Sequence, residues 1–190
     1  MKQQIRILGI DDSPFKFRDE KALVVGALVR APNYLEGLMR TEVTVDGSDA
    51  TERLVEMISG SRYADQVKVV MVDGIALAGF NVIDVEKLHS SLSVPIVTVT
   101  RDRPDLEKMK AALKKHFGDW RRRYELMTRL ELVEVGTEHK PVFACGLGLE
   151  RSELQTIVRM STVRGAIPEP LRIAHLVSTA MVRGESHGRS

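Results

Sequence analysis

IRILGID, Ile5 to Asp11, is followed by KALVVGALVR, Lys21 to Arg30, and then by GLMRTEVTV, Gly37 to Val45. Each run is apolar and β-branched enough to form a strand, and the stretches between them, DDSPFKFRDE and APNYLEG, are turn-like. Three strands in series are therefore predicted. The connection from Asp11 to Glu20 is too short and too rich in turn residues to hold a helix, which a doubly wound fold would require after its first strand.

After this meander the pattern changes. Ala50, Leu54, Val55, Met57 and Ile58 recur at helical spacing, with Gly60 where a helix would stop. VKVVMVD, Val67 to Asp73, is a continuous apolar run ending in a carboxylate, as expected of a strand covered on both faces within a parallel region. VIDVEKLHSSL reads as helix, VPIVTVT as strand, and PDLEKMKAALKKHFGDWRRRYELMTRL as a longer helical region with Pro104 near its start. LELVEV and KPVFACG follow as short strands. SELQTIVRMS and EPLRIAHLVSTAMV then read as two closing helices on either side of Arg164 to Pro168. The predicted class is α/β: an antiparallel meander followed by parallel strands in one mixed sheet flanked by helices, a ribonuclease H-like arrangement. Residues 1–183 are expected to form a single domain, and the tail GESHGRS, 184–190, has nothing to bury and is expected to fray.

The 190 residues, 43% of them hydrophobic, suffice for one well-buried core. The 28 basic and 26 acidic side chains nearly cancel to +2, so a nucleic-acid site would have to be a local patch rather than a global basic field. The single cysteine, Cys145, cannot form an intramolecular disulfide, and MKQQIRILGIDDS lacks the apolar stretch of a secretion signal. Both features favour the cytoplasm. No apolar run approaches the roughly 20 residues of a membrane helix, so no membrane span is expected.

Asp11, Asp46 and Asp73 each end a predicted strand. Carboxylates there are held by a rigid scaffold yet reach solvent, and three that converge repel one another unless a cation bridges them. A hard, oxygen-seeking ion, Mg²⁺ or Mn²⁺, suits such a cluster. Two ions about 3.5 to 4 Å apart can activate water and stabilise the leaving oxygen in phosphodiester hydrolysis. A plainer reading is that these acids begin turns, since Asp46-Gly47 and Asp73-Gly74 are common turn dipeptides. Asp12 should face away from Asp11 if the strand continues, and Asp49 is placed to cap the first helix.

GIDDS, Gly9 to Ser13, resembles the first acidic motif of endonuclease V, and VVMVDG, Val69 to Gly74, followed by GFNVIDVEKLHSSLSVPIVTVTR, resembles its second strand, helix and strand module. IPEPLRIAHLV, Ile167 to Val177, resembles that family's closing helix motif, so the likeness spans most of the chain. The sequence is similar still more closely to an archaeal family named endonuclease dU. The resemblance implies a metal-dependent endonuclease acting on nucleic acid with a deaminated or otherwise modified base. It implies that Asp11 and Asp73 bind the metal and that Asp46 takes the place of a glutamate. It puts Arg101 where endonuclease V has an active-site lysine, and a guanidinium there could clamp a phosphate by paired hydrogen bonds. An ordinary exposed arginine is the other reading of Arg101. Glu150 falls near a family histidine, as a fourth metal ligand or equally as a helix-start carboxylate favoured by the dipole. The Tyr-containing, Pro-rich wedge with which endonuclease V separates strands has no counterpart in LMRTEVTVDG, although Tyr34 could replace part of it or simply sit in a turn. The expected partner is therefore nucleic acid, DNA in the first instance, preferably single-stranded or already distorted. The alternative is a noncatalytic nucleic-acid-binding or assembly protein that keeps the fold.

Gly146-Leu147-Gly148 superficially resembles a dinucleotide loop, but Arg151 occupies the third glycine position, and a turn or a close backbone approach to the metal site explains the pair. The basic run from Lys108 to Arg123 could contact phosphates, with Trp120 and Tyr124 stacking on bases, or form a solvated helix face with Phe117 and Trp120 packed inward. No histidine pair has HExxH spacing, and His175 is expected to pack within its helix.

Overall fold

The computed structural model of the chain describes residues 4–186. β1 (Arg6–Asp12), β2 (Lys21–Arg30) and β3 (Tyr34–Thr44) form the predicted meander, pairing antiparallel from Arg6↔Arg30 to Asp12↔Val24 and from Lys21↔Thr44 to Arg30↔Tyr34. β3 starts at Tyr34 rather than Gly37, because the ladder continues up to the turn itself. There follow α1 (Ala50–Ser59), β4 (Val69–Asp73), a small hairpin of β5 (Ala76–Leu77) and β6 (Asn81–Val82), α2 (Val85–Leu92) and β7 (Ile96–Thr100). The remainder comprises α3 (Leu106–His116), α4 (Trp120–Thr128), β8 (Val133–Val135), β9 (Val142–Leu147), α5 (Arg151–Ser161) and α6 (Glu169–Arg183).

The main sheet runs β3-β2-β1-β4-β7-β9-β8, with β1, β4 and β7 parallel and the other pairings antiparallel. Pleating sends alternate residues to opposite faces. Leu8, Ile10, Val70, Val72 and Ile96 pack in one core layer with Leu54, Ile58 and Leu88 from α1 and α2. Ile7, Val69, Met71, Val97 and Val99 pack in the other with Leu154 and Ile157 from α5 and Leu171 from α6. This two-sided burial is why VVMVD is apolar at every position but its last.

Three details differ from the sequence reading. The β5–β6 hairpin is too short to leave a periodic signal. α2 begins only at Val85, because the Asp84 carboxylate accepts the Lys87 N–H at 3.0 Å and sets the helix start there. The long helical region breaks into α3 and α4 where Phe117 adopts extended backbone before Gly118. Of the tail expected to fray, 187–190 lie outside the described residues; Gly184, at φ 84°, closes α6 by donating its N–H to the Ala180 carbonyl at 2.9 Å. Among the described residues no helix is long and apolar enough to cross a membrane.

Candidate active site

Ile10 of β1 pairs with Val72 of β4, and Asp73 pairs with Val99 of β7. Asp11 and Asp73 are thus lateral neighbours at the carboxyl ends of adjacent parallel strands, with backbones about 5 Å apart. Alternation puts Asp11 on the face of Ile7, Asp73 on the face of Met71, and Arg101 on the face of Val99, which is one and the same face. The three side chains line an open cleft of about 480 Å³ together with Asp12, Phe15 and His175. A crevice outside the carboxyl ends of parallel strands is the usual ligand position in open α/β sheets.

α6 closes this side of the cleft. A β-carbon on Gly9 would lie 2.2 Å from the carbonyl carbon of Pro170, so only glycine lets the helix approach β1 this closely. One turn and more along α6, His175 Nδ1 lies 2.8 Å from Asp11 Oδ2, and Ser178 Oγ donates to the Asp12 carbonyl at 3.1 Å. The other Asp11 oxygen accepts the Asp12 N–H at 2.9 Å. Sequence reasoning had His175 as a packing residue. The signal it left was the small-residue stripe Pro170, Ala174, Ser178, which marks a helix face pressed on a strand and carries His175 beside it.

Asp12 turns to the opposite face and still reaches the cleft rim, where its carboxylate accepts the Ala78 N–H at 2.8 Å. Asp46 does not join the cleft. β3 ends at the same sheet edge but two strands from β1, roughly 10 Å away. The Asp46 carboxylate accepts the Phe80 N–H at 2.8 Å, its own N–H donates to the Ala78 carbonyl at 2.8 Å, and its backbone holds φ 55°. Asp46 therefore ties the end of β3 to the β5–β6 hairpin. Arg123 locks the same junction, donating from Nη1 to the carbonyls of Asp46, Gly47 and Phe80 at 3.0, 2.8 and 2.6 Å. Asp49 stands at the α1 N-cap position, but its carboxylate accepts hydrogen bonds from Thr44 and Asn81 instead of capping the helix.

Glu150 lies farther from the cleft than Asp46. β9 runs antiparallel to β7, with Leu147 opposite Ile96, so Glu150 emerges at the sheet edge where β7 begins, whereas the cleft lies where β7 ends. Its carboxylate instead forms a reciprocal capping box with Glu153 at the start of α5. The Gly146–Gly148 loop lies at that same remote edge. Tyr34 also opens β3 at the remote edge, about 20 Å along the sheet from Asp12, under the Arg30 guanidinium at 4.8 Å from its ring. In the basic segment Lys114 and Arg121 flank the Trp120 ring and Lys110 covers Tyr124, each 4.9 Å from the ring centroid.

The electrostatics of the cleft are those of acids held without enough compensation. Burial, and then the charge of Asp11, push the Asp73 carboxyl up to about 7, against the opposing pull of Arg101. Burial, and again Asp11, push Asp12 up to about 6, with the Ala78 N–H working in the other direction. The hydrogen bond to Asp11 raises His175 above the ordinary histidine range. Hard carboxylate oxygens crowded in poor solvent are the donor set a divalent cation relieves. Among the described residues no three carboxylate, imidazole or thiolate groups gather into a closed cage. The residues present fit an open Mg²⁺-type site, in which one or two carboxylates hold the ion and water and phosphate complete its shell.

A family model described as endonuclease dU matches residues 3–182 of this chain. A UPF0215 protein of Methanothermobacter thermautotrophicus is 43% identical over 189 residues, covering 99% of this chain and 93% of that relative. The crystal structure of a protein of unknown function from Archaeoglobus fulgidus superposes with a TM-score of 0.86 at 35% identity, covering 95% of this chain and 100% of that one. Ciona intestinalis endonuclease V, crystallised with a 23mer DNA containing an inosine followed by a ribo-adenosine, superposes with a TM-score of 0.58 at 14% identity, covering 90% of this chain and 82% of that one. That last likeness shows the fold, which is ribonuclease H-like. A match that begins ahead of β1 and takes in nearly all of α6, and so covers every element that lines the cleft, means that this chain belongs to the endonuclease dU family.

Proposed function

We propose that the chain is a divalent-metal-dependent endonuclease that hydrolyses phosphodiester bonds in nucleic acid carrying a deaminated or otherwise modified base. The observation that carries this reading is the placement of Asp11, Asp73 and Arg101 on one face at the ends of three adjacent parallel strands. Family membership supports it, as does the DNA bound by the endonuclease V of the same fold. A Mg²⁺ or Mn²⁺ ion held by Asp11 and Asp73 would activate water and neutralise charge on the phosphate. Arg101 presents a planar set of donors suited to a non-bridging phosphate oxygen. His175 holds one Asp11 oxygen in place, so that the carboxylate meets its ligand in a fixed orientation.

The test is cleavage of oligonucleotides containing uracil or hypoxanthine, with Mg²⁺ or Mn²⁺ and with EDTA. Cutting should require the metal, and Asp73→Asn should lower it by roughly 100-fold or more while the fold is kept. Metal-independent cutting, or full activity of Asp73→Asn, would contradict the assignment. The open donor set, in which the Asp12 carboxylate is engaged by the Ala78 N–H rather than gathered with Asp11 and Asp73, favours one competing reading, a noncatalytic nucleic-acid-binding protein. Tight binding with no cleavage under any metal would select it.

A further inference from the structure

The loop between β1 and β2 displays an aromatic ring beside the cleft. Phe17 is 92% exposed, more than any other large apolar side chain among the described residues. Water should drive such a ring inward, and Phe15 does turn inward, packing against the core and lining the cleft. Phe17 is held out by the loop's construction. The Lys16 N–H donates to the Asp19 carboxylate at 2.7 Å and the Asp19 N–H donates to the Lys16 carbonyl at 2.9 Å, closing a tight turn with Phe17 and Arg18 at its tip. The base of the loop is fastened as well, Ser13 N–H to the Leu23 carbonyl at 2.8 Å and Val45 N–H to the Glu20 carbonyl at 3.0 Å. Chain geometry keeps the Phe17 Cα within about 7 Å of that of Phe15, which lines the cleft, so the turn that carries the ring lies next to the cleft. Lys16 and Arg18, both exposed, flank it.

We propose that this segment, PFKFR, Pro14 to Arg18, is a base-binding finger in which Phe17 stacks on an unpaired nucleobase next to the phosphodiester in the cleft, while Lys16 and Arg18 hold the neighbouring phosphates. The proposal rests on the endonuclease reading and names what that site selects. One ring between two cations is too small an apolar area to seat a protein partner. It is, however, the recurring unit of single-strand recognition, in which stacking and phosphate contacts alternate. The faces of a base in an intact duplex are covered by its neighbours, so a fixed ring of this kind favours single-stranded or locally opened substrate. Because every base has a π-face, the finger contributes preference for an open structure rather than for a sequence.

The test uses fluorescence anisotropy of a labelled single-stranded DNA of about 12 nucleotides, long enough for one binding site, on the Asp73→Asn chain so that the DNA stays intact. Adding Phe17→Ala should weaken binding roughly 5- to 100-fold, the loss expected for one stacked base. Phe17→Trp should restore it, with indole fluorescence quenched by the DNA beyond any change from Trp120 in the Phe17 protein. Unchanged affinity in Phe17→Ala, with the Phe17 protein binding normally, would overturn the finger and leave the endonuclease reading standing. Failure of the Phe17 protein itself to bind single-stranded, mismatched or paired DNA, or single-stranded RNA of the same length, would remove both.

Discussion

Asp73 sits where burial and charge act together, and its chemistry can be read without any substrate. In the absence of a cation its carboxyl, raised from the ordinary 3.8 to about 7, keeps a proton in the folded chain that the unfolded chain has already released. Stability of the metal-free protein should therefore fall as pH rises between those values, by a few kcal/mol at most. Asp12, raised to about 6, and His175, whose stabilising protonation is lost as pH passes its raised value, act in the same direction. Asp73→Asn should remove most of this loss, melting higher than the parent in EDTA above neutral pH. It should also lose the stabilisation that Mg²⁺ gives the parent. Thermal melts at several pH values, with and without the metal, check both halves. Asp11 and Asp73 were legible in the sequence because each ends an apolar run, and the pleat then dictates which way it points; Arg101 was legible only through the resemblance to endonuclease V. His175 and Asp12 were not, because their roles depend on a helix packed against β1 and on a loop at Ala78, contacts that no local pattern encodes.

Among the elements, the decisive contact is α6 against β1. Gly9→Ala would force a β-carbon into the Pro170 carbonyl, and overpacking of this kind costs about 1–3 kcal/mol. Displacing α6 also moves His175 away from Asp11, so cleavage should fall in Gly9→Ala even at temperatures where it remains folded. Urea midpoints alongside initial rates would show this, and a variant with the parent's stability and rate would mean the helix accommodates the methyl group. The same scale explains what the sequence reading misjudged. Asp46 and Arg123 are fastened to one another and to Phe80 across 77 and 43 residues of chain. Arg123 therefore read as one more cation on a solvated helix face, which the exposed Lys108, Lys114, Lys115, Arg121 and Arg122 do form, and Asp46 as a candidate ligand or turn residue, although the two build a junction.

The molecule as a whole has two unlike edges. One carries Asp11, Asp73, Arg101 and the PFKFR loop; the other carries Glu150, Gly148 and Tyr34. Glu150→Gln, which preserves the capping pattern, and Tyr34→Ala should accordingly leave metal-dependent cleavage within about twofold of the parent, since neither touches the cleft. A large loss in either would require nucleic acid to wrap around the sheet to its far edge. The mixed sheet, an antiparallel meander followed by parallel strands, was predicted because the meander and the alternating segments that follow permit few topologies. The sense of β9 was not, and with it the position of Glu150 was lost, since a strand's direction is set by its partner rather than by its composition. The pairing of Asp11 with His175 joins residues 164 positions apart, the first strand with the last helix. During synthesis at about 5–20 residues per second, roughly 8 to 30 seconds separate the appearance of the acid from that of its imidazole partner. A nascent chain still on the ribosome thus holds its acids without the helix that orients them. On the proposed endonuclease reading, the oriented acid becomes available only once α6 has been made and has packed against β1.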